Sequence, residues 1–284
     1  MRAVLVTGAS TGIGLECALH LSRQGFKVFA GVRRETDANH LKTQASYLTP
    51  LLLDVTDLAS IQKSAQVVAE AVGQAGLWGL VNNAGIAVAG PLEFLPLEEL
   101  RRQYEVNVIG QVAVTQAFLP LLRKARGRIV MMSSISGRVA SPMMGPYASS
   151  KFALEALSDS LRRELMGWGL EVAVIEPGNI QTPIWGKGVS WGKRLLEQLP
   201  PRAKELYGTG MDQILRYIEG MDAKGLPPLE VAKVVEHALT APRPRTRYVV
   251  GRGAKLAAFL SRVLPDRLMD RVAFGRFQKR PRGL

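Results

Sequence analysis

The 284-residue sequence predicts an α/β fold in which a doubly wound parallel sheet carries helices on both faces. Short apolar runs alternate with longer stretches whose apolar residues recur at helical spacing, and this order favours strands joined by crossover helices. A glycine-rich turn follows the first run directly, and 47% of the residues are hydrophobic, enough for one large core. We expect about seven strands in a single domain.

The first predicted unit is a strand, a glycine-rich turn and a helix. Ala3–Val6 is the strand, and Gly8, Gly12 and Gly14 follow at G-x-x-x-G-x-G spacing. Glycines let a pyrophosphate approach the backbone, and the free N–H groups of the first helical turn point at it. Because residues 26–31 supply a second strand, the unit is predicted to be βαβ and to bind a nucleotide.

The end of the second strand bears on the choice of cofactor. An acid there would bond the ribose hydroxyls of NAD, but Val32 stands in its place and Arg33 and Arg34 follow. Because a guanidinium suits the additional phosphate of NADP, Arg33 favours NADP(H). The alternatives are that the arginines are merely solvated, or that the nearby Asp37 restores a preference for NAD(H).

The next two strands end in residues that suit a cofactor. Residues 51–53 form a predicted strand that ends at Asp54, a position suited to contact with a nucleotide base. Residues 77–81 form another, followed by Asn-Asn-Ala-Gly at residues 82–85. There the amides can join neighbouring loops and the small residues leave room for a cofactor ring. For Asn82, a purely structural role is the alternative.

Two polar residues stand out in the middle of the chain. Residues 97–122 are predicted to form a helix that contains Asn107, a residue type that marks a bend or a water site within helices. Residues 127–132 form a fifth predicted strand, which runs into Ser134. A hydroxyl at the end of a strand could donate to a substrate oxygen, and an ordinary loop serine is the alternative.

Tyr147 and Lys151 are one helical turn apart, so a helix brings both side chains onto one face. A phenol is a poor base at neutral pH because its unperturbed pKa is about 10, and a neighbouring ammonium group lowers that pKa. The pair is therefore a candidate acid and base for a proton on an alcohol oxygen. A surface Tyr and Lys on an amphipathic helix is the alternative.

The later elements complete the alternation. A sixth strand at residues 170–175 precedes residues 184–225, which carry aromatic and methionine side chains with several glycines. Such a segment is typical of an apolar lid over a site, and aromatics packed on the core are the alternative. A helix at residues 231–239 and a seventh strand at residues 248–250 follow.

Composition excludes several classes of protein. Cys17 is the one cysteine, so an intramolecular disulfide and a cysteine-based zinc site are excluded, and we expect no metal. The chain reaches a glycine at its eighth residue, too soon for a signal peptide, and no run of 18 apolar residues predicts a membrane span. We expect a cytoplasmic protein.

The formal charge of +13 is concentrated near the end of the chain. From Arg243 onward there are twelve Lys or Arg against two acids, which leaves about +3 for the preceding residues. We therefore divide the chain into a body at residues 1–251 and a basic tail at residues 252–284. In the tail, one helical face carries the apolar residues Leu256, Phe259, Leu260, Val263 and Leu264.

This apolar face has three possible partners. An apolar face flanked by cations suits the surface of an anionic bilayer, so peripheral membrane contact is one prediction. The alternatives are that the face docks on the protein's own body or on a sister subunit. Nucleic acid is disfavoured as a partner, because the phenylalanines Phe259, Phe274 and Phe277 are committed to apolar faces and leave few rings for base stacking.

Taken jointly, the motifs resemble those of the short-chain dehydrogenase/reductase family over about residues 1–185, and most closely its hydroxysteroid and retinol dehydrogenase branch. The resemblance rests on the glycine pattern, the run at residues 82–85, Asn107, Ser134, Tyr147, Lys151 and Pro177-Gly178. It implies a Rossmann-type fold and an NAD(P)-dependent oxidoreductase that interconverts a ketone or aldehyde and an alcohol by hydride transfer. The implied substrates are apolar, such as steroids, retinoids or other lipids, and the implied assembly is a homodimer or homotetramer.

The resemblance also implies roles for individual residues. Tyr147 exchanges the proton at the substrate oxygen, Lys151 lowers the tyrosine pKa and holds the nicotinamide ribose, and Ser134 bonds the substrate oxygen. Asn107 anchors a water that links Lys151 to solvent. Thr11 is a departure, since many NADP-preferring relatives have Lys or Arg there. The implied cofactor contacts are Gly8, Ser10, Thr11, Gly12, Ile13, Gly14, Arg33, Asp54, Val55, Asn83, Ala84, Gly85, Tyr147, Lys151, Pro177, Gly178, Ile180 and Thr182. The implied substrate contacts are Ser134, Met144, Tyr147 and Trp185.

Two other functions are compatible with parts of the sequence. The turn also matches G-x-S-x-G, the nucleophile turn of α/β-hydrolases, with Ser10 as the serine. That function needs a later histidine in a loop, whereas His237 falls in a helical pattern. The other alternative is a non-catalytic nucleotide-sensing protein on the same fold, because a fold does not determine function. The intact Ser134, Tyr147 and Lys151 argue against that alternative.

Overall fold

The computed structural model describes residues 1–45, 47–222 and 225–274. Seven strands form its sheet: β1 (Ala3–Val6), β2 (Lys27–Val32), β3 (Leu48–Leu52), β4 (Gly79–Asn82), β5 (Arg128–Met132), β6 (Glu171–Pro177) and β7 (Arg247–Val250). All neighbouring pairs are parallel, and the strand order is β3-β2-β1-β4-β5-β6-β7. The order reverses between β1 and β4, and ligands bind at the carboxyl ends of the strands at such a switch point. The predicted doubly wound fold is confirmed.

The helices cover both faces of the sheet and the end where the strands terminate. They are α1 (Gly12–Arg23), α2 (Glu35–Lys42), α3 (Leu58–Val72), α4 (Leu97–Tyr104), α5 (Gly110–Ala125), α6 (Gly145–Leu165), α7 (Pro183–Gln198), α8 (Pro201–Asp222), α9 (Pro228–Thr240), α10 (Arg252–Val263) and α11 (Asp266–Phe274). Along β1, Val4 and Val6 join one core with α1 and α9, while Ala3 and Leu5 join the other core with α3, α5 and α6. Strands buried on both faces are continuously apolar, which is the pattern on which the strand prediction depended.

The predicted helix at residues 97–122 is interrupted. A π-helical turn, Glu105–Ile109, separates α4 from α5 and contains the fully buried Asn107. The side chain of Asn107 bonds outside its own helix, to the backbone of Ile86 and to Ser150, so the extra residue in the turn directs it into the site. The interruption thus falls at the residue whose type indicated a bend or a water site.

One strand begins earlier than expected. The apolar residues at 51–53 predicted a short third strand, but β3 starts at Leu48 and pairs with β2 through Thr49 and Pro50. Pro50 has no N–H to donate, and β3 lies at the edge of the sheet, where a proline is tolerated. The proline and threonine concealed this part of the strand from the apolar pattern.

Among the described residues, one helical stretch, Leu97–Ala125, is long and apolar enough to cross a membrane by length and composition. Half of its apolar window is buried inside the fold, with Phe118 and Leu122 fully buried between α5 and the sheet. That is the pattern of a core helix, and the stretch carries little weight as a membrane span.

Most of the apolar face of the tail is exposed. Helix α10 packs through Ala254 and Ala258, which are buried. In contrast, Leu256 is 59% exposed, Phe259 61% and Val263 53%. The alternative in which this face docks on the protein's own body therefore does not hold for these three side chains, because α10 turns its small residues inward. Leu260 and Leu264 are half-buried, and Phe277 lies outside the described residues.

Candidate active site

The glycine-rich turn between β1 and α1 is closely packed against the turn after β4. A Cβ on Gly14 would lie 2.3 Å from the Gly8 carbonyl oxygen and 2.4 Å from Asn83 Nδ2, so glycine is required there. Gly8 has a φ of +65° and leaves no room for a side chain next to Ala84. The backbone of this turn thus approaches its neighbours as closely as a phosphate-binding turn needs.

Hydrogen bonds from the turn after β4 hold the glycine-rich turn in place. Asn83 Nδ2 donates to the carbonyl oxygens of Thr7 (2.9 Å) and Gly8 (3.2 Å). Thr7 Oγ1 accepts from the backbone N–H groups of Asn83 (2.9 Å) and Ala84 (3.0 Å). The expectation that the amides join neighbouring loops is confirmed. Asn82 has the structural role given as the alternative, since its Nδ2 donates to Thr115 on α5.

A cleft of about 660 Å³ opens where β1, β2, β3 and β4 end. Its wall includes thirteen of the residues expected to contact a cofactor: Gly8, Ser10, Thr11, Gly12, Ile13, Gly14, Arg33, Asp54, Val55, Asn83, Ala84, Gly85 and Thr182. Tyr147, Lys151, Pro177, Gly178 and Ile180 are not part of that wall. Ile184 connects the two sets, because it lines the cleft and also packs on the apolar cluster around Tyr147.

Arg33 and Arg34 differ in their surroundings. Arg34 forms two hydrogen bonds with Asp37, at 2.9 Å and 2.8 Å, and the carboxylate raises the pKa of its guanidinium. Arg33 is exposed on the rim of the cleft, and within the described residues it has no hydrogen bond or ion pair. Asp37, the acid that would favour NAD(H), is thus engaged by one arginine, while the other remains available to a phosphate.

Asp54 is fixed at the end of β3. Its Oδ1 accepts from the backbone N–H of Thr56 (2.9 Å) and from the Thr56 hydroxyl (2.7 Å), and its own N–H donates to Ser60 Oγ. These contacts hold the carboxylate at the wall of the cleft, where the sequence predicted it.

Ser134, Tyr147 and Lys151 meet beyond the end of β5. All three are buried, and the hydroxyls of Ser134 and Tyr147 are hydrogen-bonded to each other. Lys151 Nζ donates to the Met132 carbonyl oxygen (2.7 Å) and lies 5.8 Å from the centroid of the Tyr147 ring. The structure therefore brings together the serine, the tyrosine and the lysine that the sequence singled out.

The titration of this cluster is dominated by burial. Burial raises the pKa of Tyr147 to about 12, although the hydrogen bond from Ser134 lowers it. Burial lowers the pKa of Lys151 to about 8, against the upward effect of Glu155. The ammonium group of Lys151 is directed at the Met132 carbonyl, and desolvation of the phenolate is the largest influence on the Tyr147 pKa, so the expected lowering of that pKa by Lys151 stays a prediction.

Asn107 and Gln103 together brace the loop after β4. Asn107 Oδ1 accepts from the Ile86 N–H (2.9 Å), and its Nδ2 donates to the Ile86 carbonyl (3.0 Å) and to Ser150 Oγ (3.2 Å). Gln103, fully buried, bonds the N–H of Val88 (2.7 Å) and the Ile86 carbonyl (2.9 Å). The sequence reasoning missed Gln103, although its position one turn before Asn107 was a usable signal. The water-anchoring role of Asn107 stays a prediction.

The other side of Tyr147 is apolar. The buried cluster around it is drawn from the loops after β4 and β5 and from helices α7 and α8, and its buried members are Ala89, Met144, Tyr147, Val189, Met211, Ile214 and Leu215. Met144, an expected substrate contact, is one of these buried members, and its role stays a prediction. Trp185 falls in α7, but its side chain lies outside the described part of the structure.

The loop after β6 closes the remaining side. The Gly178 N–H donates to the Val250 carbonyl (2.9 Å), and Ile180 is buried and paired with Leu226. Thr182 is the residue that a Cβ on Gly12 would meet, at 3.2 Å. This loop therefore reaches the glycine-rich turn through Thr182, while Gly178 and Ile180 act as its supports.

A model of the short chain dehydrogenase family matches residues 2–192, about two thirds of the chain. The chain belongs to the short-chain dehydrogenase/reductase family. The NADPH-dependent 3-dehydrocapnine reductase of Ornithobacterium rhinotracheale is 39% identical over 285 residues, which cover 98% of each chain. Retinol dehydrogenase 5 of Mus musculus is 42% identical over 276 residues, 95% of this chain and 86% of that protein. A short-chain dehydrogenase from Streptomyces avermitilis has a TM-score of 0.76 at 26% identity, with 98% of each chain covered.

These findings confirm the resemblance drawn from the motifs, including the branch of retinol and hydroxysteroid dehydrogenases. This short-chain dehydrogenase is an oxidoreductase that uses a nicotinamide cofactor. The hydrolase alternative fails on the family and on the geometry: His237 Nδ1 is hydrogen-bonded to the Tyr248 hydroxyl (3.0 Å), at the side of the sheet formed by α9 and β7.

Proposed function

We propose that this protein is an NADP(H)-dependent oxidoreductase that interconverts a ketone or aldehyde and an alcohol on an apolar substrate, with Tyr147 as acid and base. The observation that carries the proposal is the buried Ser134–Tyr147–Lys151 cluster, in which Tyr147 belongs to an apolar cluster that meets the cleft of the glycine-rich turn at Ile184. The similarity to an NADPH-dependent reductase and to a retinol dehydrogenase supports the cofactor and the substrate class.

The residues around the cleft suit such a cofactor. The glycine-rich turn and the first N–H groups of α1 would hold the pyrophosphate, Asp54 the base and Arg33 the additional phosphate. A bound nicotinamide supplies or accepts the hydride. Thr182 and Ile180 would contact its carboxamide from the loop after β6. Lys151 would reach its ribose from α6.

The chain's own residues would move the proton. Ser134 donates to the carbonyl oxygen of the substrate and stabilises the charge that develops there. Tyr147 gives its proton to that oxygen during reduction and takes it back during oxidation. Burial keeps Tyr147 protonated at neutral pH, which suits the acid of a reductase, and the apolar cluster excludes water from the reacting carbon.

Replacement of Tyr147 tests the catalytic assignment. Tyr147→Phe removes the acidic oxygen and little volume, so turnover should fall by about 10²-fold or more while NADPH binding is retained. The exposed Tyr47 offers a matched control, and Tyr47→Phe should behave as wild type. If Tyr147→Phe keeps more than about a tenth of the wild-type kcat, another group is the acid.

A search for turnover distinguishes an enzyme from the non-catalytic nucleotide sensor. The substrate is to be found by screening steroid, retinoid and fatty-chain ketones and alcohols with NADPH or NADP⁺, followed at the nicotinamide absorbance. An apolar compound among the best substrates supports the proposal. Binding of NADPH without turnover of any of these compounds would favour the sensor.

Replacement of Arg33 tests the cofactor preference. Arg33→Asp removes the partner of the additional phosphate and introduces a ribose acceptor, so kcat/KM should shift from NADPH toward NADH by about tenfold or more, the value of one charged hydrogen bond. Arg34→Ser is the matched control, because Arg34 is engaged by Asp37. An unchanged ratio in Arg33→Asp would show that Arg33 is merely solvated.

We further propose that the tail at residues 252–284 holds the otherwise cytoplasmic enzyme on anionic membranes without spanning them. The exposed Leu256, Phe259 and Val263 on α10, beside Lys255 and Arg262, support this location. Sedimentation with acidic and neutral vesicles should show that a chain ending at Gly251 loses acidic-vesicle binding. Phe259→Asp in the full chain should weaken binding without unfolding. Equal partitioning of all three chains would rule out the anchor.

The oligomeric state is a separate proposal. Exposed apolar side chains on α4, on the π-helical turn and on α6, namely Leu97, Ile109 and Phe152, suit a homodimer or homotetramer formed through these elements. Light scattering on the purified chain measures the state directly. Ile109→Arg should yield monomers, and a wild-type chain that is monomeric at high concentration would contradict the proposal.

A further inference from the structure

A cluster of buried charges lies behind Lys151, on the side away from the apolar cluster. Its first member is Glu155, which follows Lys151 by one turn on α6 and is 8% exposed. Tyr147, Lys151 and Glu155 are spaced by four residues, so they share one face of the helix. The role proposed for Tyr147 and Lys151 makes no use of Glu155.

Charged groups from two further elements, β6 and β7, face Glu155. Its Oε2 accepts from Arg247 Nε of β7 at 3.0 Å, and Arg247 also pairs with Asp159 on α6 at 2.9 Å. Glu176 at the end of β6 is fully buried, lies 3.4 Å from Arg247 Nε and is held by two hydrogen bonds from Arg138, each 2.7 Å. Arg247 is thus placed between the carboxylates, on the Asp159 side of Glu155.

The other oxygen of Glu155 faces the strand that carries the catalytic serine. Glu155 Oε1 and Ser133 Oγ are both buried, and neither reaches normal hydrogen-bond geometry with any partner among the described residues. The Ser133 hydroxyl is nonetheless close enough to lower the pKa of the carboxyl group. Ser133 lies between Met132, whose carbonyl accepts from Lys151, and Ser134. A Cβ on Gly137 would lie 2.8 Å from Ser133 Oγ and 3.0 Å from Glu155 Cγ, so both side chains pack closely against Gly137.

We propose that Glu155 is a positioning residue for the catalytic cluster: its carboxylate, held by Arg247, keeps Lys151 protonated and fixes the end of β5 that presents Met132 and Ser134. The shift of the Lys151 pKa agrees with it. Burial lowers the pKa of Lys151 to about 8, and Glu155 is the charge that opposes this effect. The pKa of Glu155 is itself raised, chiefly by burial and also by Glu176, and the Ser133 hydroxyl and Arg247 oppose that rise and favour the carboxylate.

The test is the pH profile of ketone reduction, and the inference rests on the function proposed above. Reduction needs a protonated Tyr147–Lys151 pair, so its rate falls at alkaline pH. Glu155→Gln removes a negative charge, which lowers the pKa of both groups and moves the alkaline limb to lower pH. Two unit charges about 6 Å apart give a shift of about 0.5–2 pH units for effective dielectric constants between about 80 and 20.

Two variants separate this role from a merely structural one. Asp159→Asn removes another carboxylate that Arg247 contacts, but it lies two turns, about 12 Å, from Lys151, so its limb should move by no more than about half the shift of Glu155→Gln. Glu155→Asp restores the charge and should return the limb to the wild-type position while kcat stays reduced. A limb that is unmoved in Glu155→Gln, or moved equally by Asp159→Asn, overturns the proposal.

Folding and the proposed function are checked separately. If Glu155→Gln does not fold, the double variant Glu155→Leu/Arg247→Met replaces the buried pair by apolar groups, which proteins often tolerate. Its limb should still lie below that of wild type, because Glu155, and not Arg247, is the charge that acts on the pKa of Lys151, and an unmoved limb overturns the inference. If Tyr147→Phe is active, the proposed function itself is contradicted. If Tyr147→Phe is inactive and the alkaline limb of Glu155→Gln is unmoved, only the role proposed for Glu155 is contradicted.

Discussion

Thr7 lies at the end of β1, and its replacement by valine tests how the two turns of the cofactor cleft are joined. Its hydroxyl oxygen accepts from the N–H groups of Asn83 and Ala84 and reaches the Val81 carbonyl at a longer 3.4 Å. Thr7→Val keeps the shape of the side chain and removes the oxygen. Because Thr7 is fully buried, water cannot take its place without movement of the strands.

The size of the effect follows from the two N–H groups that lose their acceptor. Each such group costs about 1–3 kcal/mol, and since Asn83 and Ala84 are half-buried we expect a total of about 2–4 kcal/mol. Unfolding of a chain of this length has an entropy of about 0.6 kcal/mol per degree, so the Tm should fall by about 3–7 °C.

Urea unfolding followed by circular dichroism measures this loss, and NADPH titration measures its effect on the cleft. Thr7→Ser is the matched control, because it keeps the oxygen and removes one methyl group, for about 1 kcal/mol. The reasoning is refuted if Thr7→Val unfolds within about 0.5 kcal/mol of wild type, the range of neutral surface changes, or if Thr7→Ser is destabilised as much as Thr7→Val.

Three further predictions concern the cleft, the lysine and the helices α7 and α8. Gly14→Ala places a methyl group inside contact distance of the glycine-rich turn, so NADPH binding by fluorescence should weaken about tenfold or more, whereas Gly167→Ala, with open space around it, should bind as wild type. The Lys151 pKa is lowered in the folded state, so above about pH 8 the unfolded chain binds more protons than the folded chain, and a rise in pH favours folding. The free energy of unfolding of wild type should therefore rise by about 2 kcal/mol relative to that of Lys151→Met between about pH 7 and about pH 9.5, as measured by urea unfolding at both pH values. The Tyr207 hydroxyl on α8 donates to Glu93 at 2.6 Å, so Tyr207→Phe should speed proteolysis within α7 and α8 with the Tm unchanged, and equal cleavage rates would contradict this anchor.

The parts of the fold that the sequence predicted are those with a local physical cause. A strand buried on both faces must be apolar throughout, so Ala3–Val6 was visible as a strand without its neighbours. A turn in which a backbone atom lies 2.3 Å from the position of a Cβ must use glycine, so Gly14 was visible as well. The spacing of Tyr147 and Lys151 fixed their common face, because helical geometry depends on nothing outside the helix.

What the sequence did not predict depends on partners distant along the chain. Gln103 is a polar residue on an apolar helix face, and only the loop after β4 explains it. The engagement of Asp37 by Arg34 depends on the path of the backbone after β2. The direction of α10 was open for the same reason: its periodicity defined two faces, and the packing of Ala254 decided which one the body covers.

The arrangement along α6 links these observations. From its beginning, every fourth residue of one face is Tyr147, Lys151, Glu155 and Asp159, so a single helix runs from the apolar cluster to the buried ion pairs with Arg247. At the apolar end, exclusion of water raises the pKa of Tyr147 and keeps this proposed acid protonated. The same exclusion of water lowers the pKa of Lys151 and favours loss of its proton, whereas the carboxylate of Glu155, one turn further along the helix, opposes that loss. A site that needs a dry substrate pocket and a charged lysine next to it therefore needs a counter-charge behind the lysine, which is where Glu155 lies.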